Sequence, residues 1–141
     1  MANTCFVCSW RRAFDQPTLM TTVLFVSPMA EAGGSDQALL RMVGDLTQRG
    51  FVAHVVVPAL GPLVPEFRAL GVTLHVIPMR RITTSGGLAW WLRYFVEWPF
   101  AVARLTRLTK RLDVDIVSSN SLHLWYAWAA ARLARRPHVW H

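Results

Sequence analysis

Several short stretches of the chain carry residues able to bind anions or move protons. The segment Pro28-Met-Ala-Glu-Ala-Gly-Gly34 holds one acid, Glu31, and ends in Gly33 and Gly34, with Ser35 next. Adjacent glycines before a helix let a ligand approach the backbone N–H groups at the helix start, where the dipole favours phosphate. The segment has neither the G-x-G-x-x-G spacing of a dinucleotide fold nor the Gly-Lys-Ser/Thr of a P-loop, so a tight, ligand-free connection is an equal reading. Ser118-Ser119-Asn120-Ser121 offers hydroxyls and an amide, and His141 an imidazole at the end of the last strand. His123 lies near a helix start. His54 and His75 sit inside apolar runs and read as core residues. Cys5-x-x-Cys8 has the spacing of half a zinc site, but no second Cys or His pair follows at a matching distance. No metal is expected, and two separate thiols suit a reducing cytoplasm.

The elements that position these residues follow from hydrophobic patterning. Thr22–Ser27, Ala53–Pro58, Val72–Pro78 and Asp115–Ser119 are short runs rich in β-branched residues, and Pro137–His141 opens a fifth. Between them, Leu39, Leu40, Val43 and Leu46 form one face of a helix that Ser35 can cap and Gly50 can stop. Pro65–Leu70 is a short helix closed by Gly71. Leu88–Leu112 is a long helical stretch expected to kink or break near Pro99. Leu122–Arg135 is a further helix. Alternation of strand and helix predicts an α/β fold: a Rossmann-like open parallel sheet with helices on both faces. Residues 1–21 form a loose leader and residues 22–141 the domain, with Met1 and Met20 both open as the natural start.

The composition sets outer limits. Of 141 residues, 53% are hydrophobic and 16% charged, which excludes a disordered chain and leaves enough apolar material for a core. The net charge of +7 points to nucleic acid, an anionic membrane surface or phosphate-bearing small molecules. No helix-turn-helix, zinc-finger or aromatic-strand signature supports nucleic acid, and none is expected as a partner. No apolar run reaches the ~18–20 residues of a spanning helix.

Val23-Leu-Phe-Val-Ser-Pro-Met-Ala-Glu-Ala-Gly-Gly-Ser35, continued by a Leu-rich helix ending Leu46-Thr-Gln-Arg-Gly50 and a strand ending in Pro58, resembles the opening of a family 4 (group 1) glycosyltransferase. Leu112-Asp-Val-Asp-Ile-Val-Ser-Ser-Asn-Ser121 is similar to that family's Pro-Asp-Ile-Val-His-x-Asn strand, and Pro137-His-Val-Trp-His141 to its following strand ending in His. The resemblance covers about Val23 to His141. It implies the N-terminal, acceptor-side half of a GT-B fold, in which two Rossmann-like domains face across a cleft. It further implies a retaining transfer from a nucleotide-sugar donor to a glycan or lipid-linked acceptor, without metal or other cofactor. Gly33, Gly34 and Ser35 would lie beside the donor diphosphate, His141 at the reaction centre, and Glu31, Asn120 and His123 on the acceptor side of the cleft. Two departures from the family pattern stand out: Ser35-Asp36-Gln37 follows the glycines, and Ser118 stands where a His is common. The family's donor domain would follow residue 141, so the chain is expected to be a fragment of a longer enzyme or a truncated gene product, inactive alone; the alternative is a small basic α/β binding module or a non-catalytic remnant. Its expected location is the cytoplasm.

The helix from Leu88 has two readings. Arg93, Glu97, Arg104, Arg107 and Arg111 share a stripe, with Trp90, Trp91, Phe95 and Trp98 around it. Either the stripe is a solvated face of a helix packed on the sheet, or it makes peripheral contact with the inner face of a membrane.

Overall fold

The structure is a computed structural model and describes residues 20–28, 33–80, 87–121 and 125–141. Cys5, Cys8, Glu31 and His123 lie outside the described residues, as does most of the segment between Ile82 and Gly87. The apolar runs form strands β1 (Thr22–Val26), β2 (Val52–Val57), β3 (Thr73–Val76), β4 (Ile116–Ser119) and β5 (His138–Trp140). Helices α1 (Gly34–Gln48), α2 (Val64–Ala69), α3 (Leu88–Arg111) and α4 (Trp125–Ala134) alternate with them. The strands make one parallel sheet in the order β3-β2-β1-β4-β5. The expected α/β Rossmann-like sheet is therefore present, with β1 central.

Successive strand residues face opposite sides of the sheet, and both sides are covered, so the strands need apolar residues at almost every position. Val23, Phe25, Ala53, Val55 and Val57 pack on Leu39 and Val43 of α1 and Phe67 of α2. Leu24, Val26, Val56 and Val117 pack on Tyr94, Val102 and Leu105 of α3 and the alanine-rich face of α4. Tyr126 of α4 is completely buried, with its ring 5.8 Å from Tyr94 and 6.3 Å from Trp98. Burial pushes the Tyr126 phenol well above its ordinary value, so it stays neutral at any physiological pH.

Each helix ends in the same turn. After α1, Gly50 takes φ +85° while the N–H of Phe51 donates to the Leu46 carbonyl (3.1 Å). After α2, Gly71 takes φ +72° and the N–H of Val72 donates to the Phe67 carbonyl. The same six-to-one bonds close α3 and α4, but there the left-handed position holds Asp113 (φ 47°) and Arg135 (φ 58°). Asp tolerates that region; a long side chain such as Arg is strained in it by about 1–2 kcal/mol. Glycine relieves the strain but loses more freedom on folding, so Arg135→Gly is expected to raise the unfolding free energy by about 0.5–1 kcal/mol. Urea denaturation would measure it, and a loss of stability would contradict it.

Two local expectations are corrected. Ser35 does not cap α1: Gly33 is the N-cap, in extended backbone, and Ser35 lies inside the first turn. The glycines let the helix begin earlier because its first N–H groups need no intrahelical partner. Nor does Pro99 break the long helix, which runs continuously over 24 residues. Proline removes one N–H, and Pro99 is exposed on the outer side while Tyr94, Ala101, Val102 and Leu105 anchor the flanking turns in the core. Finally, the last helix is described only from Trp125.

Candidate active site at the sheet switch point

β1 and β4 are neighbours, yet the helices that follow them leave on opposite faces, α1 on one and α4 on the other. The chain parts between them and opens a crevice at the carboxyl ends of the strands, where open α/β sheets take ligands. The main chain is fixed there by sheet-like bonds: the Ser27 N–H donates to the Val56 carbonyl (2.9 Å) and the Asn120 N–H to that of Val26 (3.0 Å). The Asn120 side-chain amide crosses the crevice and donates to the Ser35 carbonyl (3.1 Å). Asn120 thus ties the first turn of α1 to the end of β4, across 85 residues of sequence. It is buried, so part of its capacity is spent on this clamp.

Gly33 has φ −75° and ψ 162°, and its carbonyl accepts from both Asp36 (3.1 Å) and Gln37 (3.0 Å). The amides of Gly34 and Ser35 head the helix, at the positive end of its dipole. A Cβ on Gly34 would meet nothing within 4 Å among the described residues. Asp36, 1% exposed, accepts a hydrogen bond from the Ser27 hydroxyl (3.0 Å). Sequence reasoning missed this pair; its one signal is an acid in the first helical turn, after a strand ending in serine. Asp36 itself complements the positive end of the helix dipole.

His141 follows β5 on the same edge of the sheet. Its N–H donates to the Ser119 carbonyl (2.9 Å), and the residue is exposed. One strand inward, the Ser119 hydroxyl is 3.0 Å from Nε2 of His138, whose pKa burial lowers. The structure thus gathers Gly33, Gly34, Ser35 and Asn120 about one crevice, and sets His141 along its rim. Among the described residues, no group of three or more His, Cys, Asp or Glu could hold a metal ion.

His54 and His75 lie on adjacent strands, Nδ1 of the first 3.3 Å from Nε2 of the second. One ring must donate and the other accept, so the pair is at its best when neutral. Burial lowers both pKa values, and at His75 the neighbouring His54 and Arg111 lower it further. Below the ordinary value of 6.5, the unfolded chain therefore takes up protons that the folded chain resists. Stability present at neutral pH is lost as pH falls through that range. Thermal melts between about pH 8 and pH 5 should show this decline, and His54→Gln with His75→Gln should lessen it, leaving the part that His138 contributes.

A second concavity of about 470 Å³ opens at the ends of β2 and β3, where Pro58 and Pro78 meet α3. Arg80, Arg93, Glu97, Phe100 and Arg104 line it. Glu97 accepts from Arg80 (2.5 Å) and from Arg93 (2.7 Å), which together hold its carboxyl below the usual range, Arg80 the more strongly. Of the aromatics around the long helix, Trp90, Trp91 and Trp98 are partly buried against the core.

A family model described as "Glycosyl transferase 4-like domain" matches residues 33–141. Three solved structures place the fold. HepE of Anabaena, solved in complex with UDP and glucose, superposes with a TM-score of 0.61 at 22% identity, over 84% of this chain and 29% of its own. MurG of Acinetobacter baumannii gives 0.66 at 18% identity, over 86% of this chain and 34% of its own. The C-terminal domain of a Pyrococcus furiosus hydrogenase gives 0.53 at 13% identity, over 86% of this chain and 92% of its own. The sheet architecture is thus shared beyond sugar transfer, and the fold alone does not fix the chemistry. This chain spans about a third or less of the length of HepE and MurG. No curated protein matches it.

Proposed function

Since the chain belongs to the glycosyl transferase 4-like domain family, we propose that it forms the acceptor-side wall of a retaining glycosyltransferase that moves a sugar from a nucleotide-sugar to a glycan or lipid-linked acceptor. The observation that carries this reading is the crevice between β1 and β4, with helix-start amides on one side and Asn120 on the other. During transfer, negative charge grows on the leaving diphosphate while positive character grows at the anomeric carbon. The amides of Gly34 and Ser35 oppose the first change without having to reorganise. His141 supplies a hydrogen bond or charge near the sugar, and no metal or cofactor takes part. The reading assigns Asn120, Glu31 and His123 to acceptor binding. The reading places the protein in the cytoplasm, with α3 in peripheral contact with the inner face of a membrane. Among the described residues no helix is long and apolar enough to cross one.

A cleft enzyme needs both walls, because positioning and transition-state stabilisation come from groups on each side. The 141-residue chain is therefore expected to show no turnover of a nucleotide-sugar by itself. Adding a donor-binding domain of the same family, in trans or fused after His141, should produce transfer. Specific transfer by the chain alone, or none after faithful reconstitution, would refute the assignment.

A further inference from the structure

Helix α4 packs on the core through Tyr126 and its alanines, and its outer flank carries tryptophan instead. Trp125 and Trp128, at i and i+3, are 48% and 41% exposed, and Trp140 of the edge strand β5 is 41% exposed beside them. Trp125 is the middle ring. It stands edge-to-face with Trp128 (centroids 6.2 Å apart, planes at 80°) and with Trp140 (6.1 Å, 76°). His138, two residues back on the same face of β5, continues the series at 5.2 Å and 85° from Trp140. The rings thus form a ribbon from helix to strand. Each holds its neighbour in place, so the ribbon is ordered before any ligand touches it, and part of every indole stays open to water. Core packing does not call for indoles at these positions, and exposed aromatic area of this extent marks a contact surface.

The ribbon adjoins the candidate site. α4 follows β4, and β5 runs parallel to β4, so Trp125 and Trp140 both lie toward the carboxyl edge of the sheet. Trp140 is level with Ser119, one residue before Asn120, and His141 comes next in the chain. At the usual strand spacing, β5 is about 7 Å from the seam between β1 and β4. The chemistry of the ribbon is neutral. Indoles carry no charge, and burial lowers the pKa of His138, which keeps its ring uncharged at physiological pH. An anion gains nothing there, because the face of an indole repels negative charge. What such a surface takes is a flat ligand with C–H groups on its face and hydroxyls around its rim. The C–H groups rest on the electron-rich rings, while indole N–H groups donate to hydroxyls at the edges. A pyranose ring has that form.

We propose that Trp125, Trp128 and Trp140 form a stacking platform for the pyranose rings of an acceptor glycan whose reactive end lies in the crevice. Continuity with the crevice decides the occupant: β4 carries Asn120 at its end, β5 carries Trp140, and the ribbon stops on the residue before His141. A sugar ring seated on Trp140 leaves the next units of its chain within reach of the seam. The platform therefore favours an acceptor of several linked sugars, since a lone sugar placed in the crevice gains no stacking. This inference rests on the sugar-transfer reading and narrows its acceptor to an oligosaccharide. Glycan binding needs neither donor nor turnover, so failure of the platform and failure of sugar transfer are distinguishable.

The test is titration of the 141-residue chain with cellotetraose, chitotetraose, maltotetraose and mannotetraose, read by calorimetry and by the indole N–H signals in NMR. At least one is expected to bind and to shift the signals of Trp125 and Trp140, with free glucose weaker by about tenfold or more. Trp125→Ala and Trp140→Ala should each lower the affinity by about tenfold or more, the scale of one flat ring stacked on an aromatic side chain. Trp125→Tyr keeps an aromatic face and should keep most of the binding. Phe100→Ala removes an exposed aromatic from α3 and should change little. The substituted rings are all exposed, and circular dichroism of each variant establishes that it is folded. Binding of none of the tetrasaccharides, or binding that the two alanine variants leave unchanged, would overturn the proposal. So would uridine shifting the same indole signals while no sugar binds, which would assign the rings to a nucleobase. Sedimentation showing a dimer that Trp125→Ala dissociates, with sugars unbound, would overturn it equally and assign the ribbon to a second copy of the chain.

Discussion

Alanine at position 141 is expected to slow sugar transfer about 10²–10⁴-fold in an enzyme that joins this domain to a donor-binding one, the range of a single positioned catalytic group. The fold gives a reason to expect a clean effect. His141 is held by its main chain, through the N–H bonded to Ser119, and its side chain is exposed at the rim of the crevice. Removing the imidazole therefore costs little stability and leaves the backbone path intact. His138 is the natural contrast. Its ring is part of a half-buried pair with the Ser119 hydroxyl, so His138→Ala should act through the melting temperature, and only secondarily through rate. A split between the two variants, rate for one and stability for the other, is the expected pattern. Wild-type kcat in a folded His141→Ala enzyme would remove His141 from the reaction.

Valine at position 34 should weaken donor binding and slow the chemical step together, by about 10²–10³-fold, while the domain remains as stable as before. Gly34 starts α1, and its backbone lies outside the left-handed region that demands glycine. An added Cβ meets nothing within 4 Å among the described residues. The described fold thus gives no reason for glycine here, whereas a diphosphate resting on the helix-start amides would. Gly34→Ala separates the two explanations. As a helix residue it should stabilise the domain by up to about 1 kcal/mol, yet still crowd the ligand. Donor affinity unchanged in Gly34→Val, measured by calorimetry in the reconstituted enzyme, would mean that the diphosphate lies elsewhere.

The sheet was legible in the sequence because burial on both faces writes itself into continuous runs such as Val55-Val-Val57, and because Gly50 and Gly71 mark helix ends by a conformation few other residues accept. The same stop after α3 and α4 was hidden, since Asp113 and Arg135 take the left-handed position there. Pro99 misled for a related reason: whether a proline ends a helix depends on what anchors the turns beside it, and that packing is tertiary. In the candidate site, Gly33, Gly34 and Asn120 were legible as an edge of the fold, since a parallel sheet sends its strand ends to one side. Their joining was not. The bond from Asn120 to Ser35 and the ion pair of Arg80 with Glu97 link segments 85 and 17 residues apart, and no local pattern encodes either. The long helix gave its charged stripe to inspection, and Arg93, Arg104, Arg107 and Arg111 are exposed as that stripe requires, but the exposed apolar row of Leu88, Leu92 and Val96 beside it was not legible. Four-residue spacing yields an apolar row whether it faces core or solvent, and only the packing of Tyr94, Ala101 and Leu105 fixes which row is outside.

The seam between β1 and β4 also sets how the molecule comes apart. β1 finds β2 after a single helix, and β4 finds β5 in the same way, so each half can close its own short loops. The two halves meet through contacts such as that of the Thr22 N–H with the Asp115 carboxylate, 93 residues apart. Closing so long a loop has an entropic cost that must be met before its contacts repay it. The seam is therefore the late step of assembly and a natural line of partial opening. The crevice sits at its end, so a ligand held between α1 and Asn120 grips both halves at once. Occupancy is then expected to slow amide exchange along β1 and β4 far from any atom the ligand touches, so that the domain would report a filled site through the rigidity of its own middle.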